Sequence, residues 1–286
     1  MSSSERPRLE APVNATQRPI LKALVWKPEI GAYFFSGGLA GASALLAFVA
    51  RGRGNHRLAR RALLTAAAGA AVSPALLISD LGRPERFHHM LRVFKVTSPM
   101  SVGTWLLSGF GAAIGVAAAS EVLGVLRPVG LAAEGAAALL GPGLATYTAV
   151  LITDTAVPAW HEAHRELPFV FAGSAAASAG AAAAILTPAE AAGPARRLAV
   201  LGAVGELAAA AAMKRRLGAL AQPYEREPVR SLDRLAQSSS IAGAAILGLL
   251  GRRRPAAILG GALVLAGSIC QRFAIFRAGF DSARPR

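Results

Sequence analysis

The residues of this sequence best suited to proton chemistry lie near the ends of its apolar runs. Asp154 falls late in one such run, between two threonines whose hydroxyls could hydrogen-bond its carboxyl, and Trp160 and His161 follow shortly afterwards. A carboxyl in a membrane can take up and release protons, and an imidazole titrates near neutral pH. Asp154 and His161 are therefore candidate proton-exchanging catalytic groups. The alternatives are a neutral, hydrogen-bonded aspartic acid and a plain interfacial histidine.

Two further acids fall inside apolar runs. Glu206 is central in its run, and Glu121 lies deep in another. An ionisable side chain inside a membrane is costly to insert, so each is a functional candidate by default. Together with Asp154 they form a possible proton path, although nothing in the sequence shows that the three touch. The alternative for Glu121 is a position near the membrane interface.

The longest polar passage between two apolar runs covers residues 78–105. Its charged residues include Asp80, Arg83, Arg86 and Arg92. Over 86–95, apolar residues recur at helical spacing with histidine and arginine on the other face. That pattern predicts a short amphipathic helix at the membrane surface. The alternative is an ordinary solvated loop.

The composition places the chain in a membrane. Hydrophobic residues make up 53% of the chain and charged residues 16%, and the mean hydropathy is +0.44. A soluble domain would carry charge on about a quarter of its residues. The formal net charge is +15, but the basic residues cluster at the ends of apolar runs. Anionic lipid and membrane topology therefore explain them better than nucleic acid does.

The chain offers little that could bind a metal. Cys270 is its only cysteine, which excludes a cysteine-ligated iron–sulfur cluster or zinc site on this chain. His161 and His164 form H-E-x-H, which differs from the H-E-x-x-H of zinc proteases. All five histidines lie at run ends or in loops, so a b-type haem has no anchor inside the spans. We expect no metal and no haem on this chain.

Eight apolar runs approach the roughly 20 residues that a membrane span needs. We predict spans at about 30–50, 62–79, 102–126, 142–157, 168–186, 198–213, 240–251 and 255–276. The sixth and seventh are short and rich in alanine and glycine, so they are the least secure. Residues 1–28 form a polar tail, 29–276 the transmembrane domain and 277–286 a C-terminal tail. The predicted fold class is an all-α integral membrane protein.

The basic residues also predict the orientation of the chain. The loops after the odd-numbered spans are short and rich in arginine, and the positive-inside rule places such loops in the cytoplasm. Both termini then lie outside, on a face that also gathers the 80–99 loop and the segments 159–168 and 214–236. Long connections rich in aromatic residues and histidines thus gather on one face, which indicates that this face docks a partner or carries a reaction site. We expect a multi-pass protein of the cell membrane.

Four passages of the sequence resemble the NrfD/PsrC family of quinone-interacting membrane anchors. Residues 33–42, YFFSGGLAGA, look like the family's aromatic, glycine-rich first span. Residues 79–105 are similar to its D-L-G-R-P…S-P-M…G-x-W signature, the most specific part of the match. Residues 141–168 resemble its fourth span, Y-T-G…P-x-W…L-P, with Ala149 where glycine is usual. Residues 277–285 resemble its closing A-G…S-A-x-P.

This resemblance implies eight transmembrane helices in two four-helix bundles, with menaquinone or ubiquinone bound within the first bundle at the termini face. The implied quinone-binding residues are Tyr33, Asp80, Arg83, Trp160 and His161. Tyr33 stands where the polysulfide-reductase branch has a histidine.

The resemblance also implies partner subunits. One is a ferredoxin-like subunit with four 4Fe–4S clusters, and another is a molybdopterin catalytic subunit. Electrons would pass directly between the quinone and the nearest partner cluster. The residues implied for docking are Arg83, Arg86, Arg92 and Arg277. Two other functions fit the residues alone: a proton-coupled solute transporter, or a structural membrane anchor without quinone chemistry.

Overall fold

A computed structural model describes residues 26–81 and 83–283 of the 286-residue chain. Within these residues the chain forms helices and no strand, which confirms the predicted all-α fold. The α-helices are α1 (Pro28–Gly52), α2 (His56–Asp80), α3 (Pro99–Leu123), α4 (Arg127–Thr153), α5 (Pro158–His161), α6 (Leu167–Leu186), α7 (Gly193–Leu217), α8 (Val229–Leu250) and α9 (Arg254–Ala283). Short 3-10 helices occupy Pro84–Leu91, Glu162–Arg165 and Gly218–Glu225. Most of the predicted polar tail, 1–28, lies outside the described residues.

Six helices are long and apolar enough to cross a membrane, namely α1, α2, α3, α4, α6 and α9. The chain is therefore a multi-pass membrane protein, as predicted. Helices α7 and α8 contain the sixth and seventh predicted spans, and they do not meet the same criterion of length and hydropathy. Helix α7 carries Glu206 near its middle and three basic residues in its last turn, and α8 carries charged residues in its first two turns. These charges lower the hydropathy of both helices.

Several helices extend beyond their predicted spans. Helix α4 begins at Arg127 rather than at Pro142, which lies inside the helix. A proline is tolerated within a transmembrane helix because neighbouring groups satisfy the backbone carbonyl that it leaves free. Helix α8 begins at Val229, and α9 continues to Ala283, so most of the predicted C-terminal tail is helical.

The contacts between long helices fall into two sets. In the first half, α1 packs against α2 and α4, and α3 packs against α4 and α2. In the second half, α6 packs against α7 and α9, and α8 packs against α9 and α7. Helix α1 joins the two sets because it also contacts α6 and α9.

Helices α1 and α4 come closest where Gly41 faces Gly141. A Cβ atom at either glycine would overlap the backbone carbonyl of the other. Small residues allow transmembrane helices to approach this closely. The crossing fixes the relative positions of α1 and α4, which carry the two tyrosines described below.

We expect Gly41→Ala to lower the stability of the protein by about 1 to 3 kcal/mol, because the added methyl group overpacks this crossing. The measurement is thermal unfolding of the purified chain in detergent. Gly115→Ala is the matched control, since an added Cβ there meets no atom within 4 Å and alanine is the better helix former. Equal melting temperatures for the two variants would contradict the close α1–α4 crossing.

The turns of the molecule lie on two opposite faces. One face, here called the arginine face, holds the α1–α2, α3–α4, α6–α7 and α8–α9 turns. Three hydrogen bonds tie turns of this face together: Asn55 Nδ2 to the Ala191 carbonyl at 2.8 Å, Arg196 Nη1 to the Gly251 carbonyl at 3.1 Å, and Arg254 Nη1 to the Thr187 carbonyl at 3.1 Å. The other face, the termini face, holds the start of α1, the end of α9 and the longer connections.

Candidate functional site

A cavity of about 310 Å³ opens within the first set of helices, toward the termini face. Its walls come from α1, α2, the Pro84–Leu91 helix, α3 and α4 and are mostly apolar. The polar residues among them are Tyr33, Asp80, Thr104, Ser108 and Tyr147. Ligand sites typically combine such apolar walls with a few polar groups, at volumes of roughly 300 to 1,000 Å³. We call this space the tyrosine cavity.

Two tyrosines from different helices meet at the tyrosine cavity. The hydroxyls of Tyr33 on α1 and Tyr147 on α4 hydrogen-bond to each other, and their ring centroids lie 6.4 Å apart. A phenol hydroxyl can both donate and accept. Because one O–H is used between the two residues, the other proton stays available to a ligand. The pair can therefore donate a hydrogen bond to a carbonyl oxygen in the cavity.

The backbone around the tyrosine pair is shaped to hold it. A Cβ at Gly103 of α3 would overlap the ring of Tyr147, so the ring lies directly against the α3 backbone. On α1, an added Cβ at Gly37 would lie 3.4 Å from the Tyr33 ring. Tyr33 itself is only 1% exposed. The phenols are thus held in place by packing as well as by their hydrogen bond.

Asp80 joins two helices beside the cavity. Its Oδ1 accepts a hydrogen bond from the backbone N–H of Lys27 at 2.9 Å, just before α1 begins. The Lys27 ammonium donates to the Ser79 carbonyl at 3.3 Å. Asp80 therefore links the end of α2 to the start of α1, and it also lines the tyrosine cavity. Of the predicted quinone-binding residues, Tyr33 and Asp80 are the two that the structure brings together there.

Trp160 does not line the tyrosine cavity and is separated from it by the side chain of Trp26. Its indole stacks on Trp26, with ring centroids 5.6 Å apart, and Trp26 lines the cavity. The indole N–H donates to the Ile275 carbonyl at 2.8 Å, and the residue is fully buried. The structure therefore places Trp160 in the packed core, with no side-chain surface on the cavity. Its role toward a quinone stays a prediction.

Asp154 and His161 lie on the termini face outside the cavity. Asp154 is the residue that follows the last turn of α4, and it is exposed. Helix α4 ends one residue before Asp154, whereas the predicted span continued to residue 157, so a position of Asp154 inside the membrane stays a prediction. His161 is also exposed, and its Nδ1 lies 3.0 Å from the Thr153 carbonyl oxygen. Both remain candidates for proton exchange with water.

The four predicted docking arginines are exposed on the termini face: Arg83, Arg86, Arg92 and Arg277. The short amphipathic helix predicted for 86–95 is a 3-10 helix over Pro84–Leu91, and Arg86 lies on it. Arg277 lies near the end of α9, beside a second, larger cavity of about 870 Å³. Arg83 is exposed and does not line the tyrosine cavity. Arg83, Arg86 and Arg92 thus flank the cavity-lining residues of the Pro84–Leu91 helix, and Arg277 lies at the second cavity.

Glu121 and Glu206 lie far apart and contact neither each other nor Asp154. Glu121 is at the arginine face, where Arg51 pairs with it at 3.0 Å. Glu206 is buried in the second half of the chain, where its Oε2 lies 3.4 Å from the Ser268 hydroxyl. These three acids alone do not make a continuous chain of contacts, so a proton path through them stays a prediction.

The chain matches one known family. A comparison with protein-family profiles aligns residues 19–222 with the family described as polysulphide reductase, NrfD. The chain belongs to the NrfD family. The match covers more than half of the chain and includes Tyr33, Asp80, Tyr147 and His161, which confirms the family inferred from the sequence. A comparison with curated protein sequences gave no significant match.

Two residues that the sequence reasoning passed over lie at prominent positions in this NrfD protein. Tyr147 lies within the 141–168 passage that carries the family resemblance, but only the fold pairs it with Tyr33. Arg272 is a basic residue inside the last apolar run and is 1% exposed. The rule that marked Glu206 as a candidate applies equally to a buried arginine, so that signal was present in the sequence.

Arg272 is held by the second set of helices. Its guanidinium lies 3.7 Å from the ring centroid of Phe171, Nη2 donates to the Phe171 carbonyl at 2.8 Å, and Nε donates to the Ser174 hydroxyl at 3.3 Å. Glu206 interacts with it electrostatically. Among the described residues, no cluster of three or more metal-ligating side chains forms here or elsewhere.

Proposed function

We propose that this NrfD protein is the quinone-interacting membrane subunit of a multi-subunit molybdopterin and iron–sulfur oxidoreductase. The observation that carries the proposal is the tyrosine cavity, in which two phenol hydroxyls from α1 and α4 meet among apolar walls. Menaquinone or ubiquinone has carbonyl oxygens that accept hydrogen bonds, and an apolar ring and tail that suit such walls. The quinone would supply two-electron, two-proton redox chemistry when bound.

In this proposal the residues of the chain bind, orient and exchange protons. The Tyr33–Tyr147 pair donates a hydrogen bond to one quinone carbonyl, and leucine, isoleucine and methionine side chains exclude water around the ring. Asp80 lies where the cavity meets the termini face, so it is placed to pass protons toward water. His161 and Asp154 lie farther out on the same face, and we propose that they exchange those protons with bulk solvent.

The proposed architecture is eight transmembrane helices in two four-helix bundles. It adds α7 and α8 to the six helices with sufficient hydropathy, and the pairwise packing of α1–α4 and α6–α9 supports it. Charged turns of α7 and α8 would lie at the membrane surface, where long basic side chains reach water. We further propose that the arginine face is cytoplasmic and that the termini face lies outside the cell membrane.

The proposed partner at the termini face is the four-cluster iron–sulfur subunit, which in turn joins the molybdopterin catalytic subunit. The exposed arginines around the tyrosine cavity give this face a positive potential that would attract an acidic partner surface. Docking there would bring the nearest partner cluster close to the quinone, so electrons need no metal on this chain.

We expect the double change Arg86→Glu and Arg92→Glu to lower the iron–sulfur content of the purified complex several-fold, because it reverses two charges at the proposed interface. The measurement is iron per mole of tagged membrane subunit, isolated from native membranes. Arg252→Glu with Arg253→Glu, exposed on the arginine face, is the control and should leave the iron content unchanged. Equal iron content in both double variants would contradict docking at the termini face.

The quinone site itself is tested by filling the cavity. Ser108 lines the tyrosine cavity from α3, and Val116 is exposed on the same helix outside it. We expect Ser108→Trp to abolish saturable binding of a menaquinone analogue to the purified chain in nanodiscs, followed by fluorescence quenching. Val116→Trp should bind as the parent does. Unchanged binding in Ser108→Trp would contradict a quinone site in this cavity.

A further inference from the structure

A groove of about 630 Å³ runs along the outer surface of α1 and α2. The described residues that line it differ throughout from those of the tyrosine cavity. Its walls are apolar, with Phe35 and Leu39 from α1, Val72 and Leu76 from α2, and Leu186 from the end of α6. Its one charged lining residue is Arg61. We call this feature the outer groove.

The α2 side of the outer groove is one continuous stripe of the helix. Arg61, Ala68, Val72 and Leu76 follow one another at spacings of seven, four and four residues, which place them on one helix face. From Arg61 to Leu76 the stripe rises roughly 22 Å, at about 1.5 Å per residue. One leaflet of the hydrocarbon core is about 15 Å thick. The groove is therefore long enough to take one acyl chain across a leaflet.

The polar atoms within the groove are already satisfied by the protein. The Ser36 hydroxyl hydrogen-bonds to that of Ser73 at 2.9 Å, and the Thr65 hydroxyl donates to the Arg61 carbonyl at 2.9 Å. The walls therefore present a hydrocarbon-like surface to an occupant. An occupant with its own polar groups inside the groove would find no partners for them there, whereas an alkyl chain needs none.

The arginine end of the groove carries charge with no protein partner. Arg57 lies one turn before Arg61 on the same stripe, and both are exposed. Among the described residues, no carboxylate lies within ion-pair distance of either one. Their neighbour Arg60 differs, because it lies 3.9 Å from Glu121. Two exposed guanidinium groups one helical turn apart carry the charge and the hydrogen-bond donors that bind a phosphate.

We propose that the outer groove binds an anionic phospholipid. Its phosphate lies between Arg57 and Arg61 at the arginine face, and one acyl chain follows the α2 stripe toward Leu76. The site is separate from the tyrosine cavity, so it does not depend on the proposed quinone function. It also gives part of the basic charge on the arginine face a specific ligand, beyond a general attraction to the membrane.

The headgroup part of the proposal is tested by native mass spectrometry of the full chain in detergent. Phosphatidylglycerol and phosphatidylcholine with the same acyl chains are the probes. We expect the parent to prefer phosphatidylglycerol, and Arg57→Gln with Arg61→Gln to lower that affinity roughly tenfold. Arg252→Gln with Arg253→Gln, also exposed on the arginine face, should bind as the parent does. Equal losses in the two double variants would overturn the site in favour of diffuse surface charge.

The groove part is tested by a filling substitution that leaves both arginines in place. Ala68→Trp should weaken binding of both lipids, because the indole occupies the path of the acyl chain. Val116→Trp, exposed on α3 and outside the groove, should leave both affinities unchanged. Parent-like binding in Ala68→Trp would overturn the acyl-chain assignment. A parent that binds neither lipid in a saturable way would overturn the proposal as a whole, and would leave a partner helix as the occupant.

Discussion

The double variant Tyr33→Phe with Tyr147→Phe is expected to bind quinone about tenfold to a hundredfold more weakly than the parent. Both substitutions keep the rings and remove the hydroxyls, so the cavity keeps its shape. A quinone carbonyl would then lose the phenol donors, and the hydroxyls of Thr104 and Ser108 already donate to backbone carbonyls. An unsatisfied buried acceptor costs about 1 to 3 kcal/mol. The measurement is titration of the purified chain in nanodiscs with a menaquinone analogue.

The single variants Tyr33→Phe and Tyr147→Phe are expected to have smaller effects than the double variant. Either tyrosine alone still offers one hydroxyl to the ligand, so each single change should weaken binding less than the double change does. Tyr224→Phe is the control, because Tyr224 is a buried tyrosine outside the tyrosine cavity. If the double variant bound as tightly as Tyr224→Phe, the tyrosine pair would have no part in holding a quinone.

Replacing Arg272 with leucine should produce the largest loss of stability among single changes in the second half of the chain. The guanidinium satisfies the Phe171 carbonyl and the Ser174 hydroxyl and faces Glu206 in a fully buried cluster. Removing the guanidinium leaves both buried acceptors without a donor, which typically costs about 1 to 3 kcal/mol for each. We expect Arg272→Leu to lower the melting temperature of the detergent-purified protein strongly.

A second substitution distinguishes the charge from the packing. Glu206→Gln in the Arg272→Leu background removes the acid that was left without its cation, so part of the lost stability should return. Arg277→Leu is the control, because Arg277 is exposed on the same helix and should change the melting temperature little. If the double variant were no more stable than Arg272→Leu alone, Glu206 and Arg272 would not form an energetically coupled pair.

The sequence predicted the helical membrane fold well because hydropathy and length are local properties. Helix ends were harder to predict, and α4 shows why. Pro142 resembles a helix start in a sequence, but in the fold it lies inside α4, where neighbouring helices compensate for it. Asp154 shows the opposite error. The apolar run predicts a span to residue 157, but helix α4 ends at Thr153. Asp154 is exposed just beyond the last turn of that helix.

The candidate site was predicted only in part, because helix packing brings together residues that are far apart in the sequence. Tyr33 and Asp80 were named from their passages, and both line the tyrosine cavity. Tyr147 becomes a partner of Tyr33 only because α1 and α4 cross at Gly41 and Gly141 and because Gly103 leaves room for its ring. These contacts join residues far apart in the chain, which no local pattern reveals. The contacts of Arg272 with Phe171 and Ser174 have the same origin.

Photolabelling would show whether a quinone occupies the tyrosine cavity. The full chain in nanodiscs would be illuminated with an azidoquinone, with and without excess unlabelled menaquinone, and the labelled peptides identified by mass spectrometry. We predict labelling that menaquinone suppresses, on cavity-lining segments within 26–34, 74–81, 100–112 and 147–151. Suppressible labelling confined to α6–α9, or none that menaquinone suppresses, would contradict a quinone in this cavity.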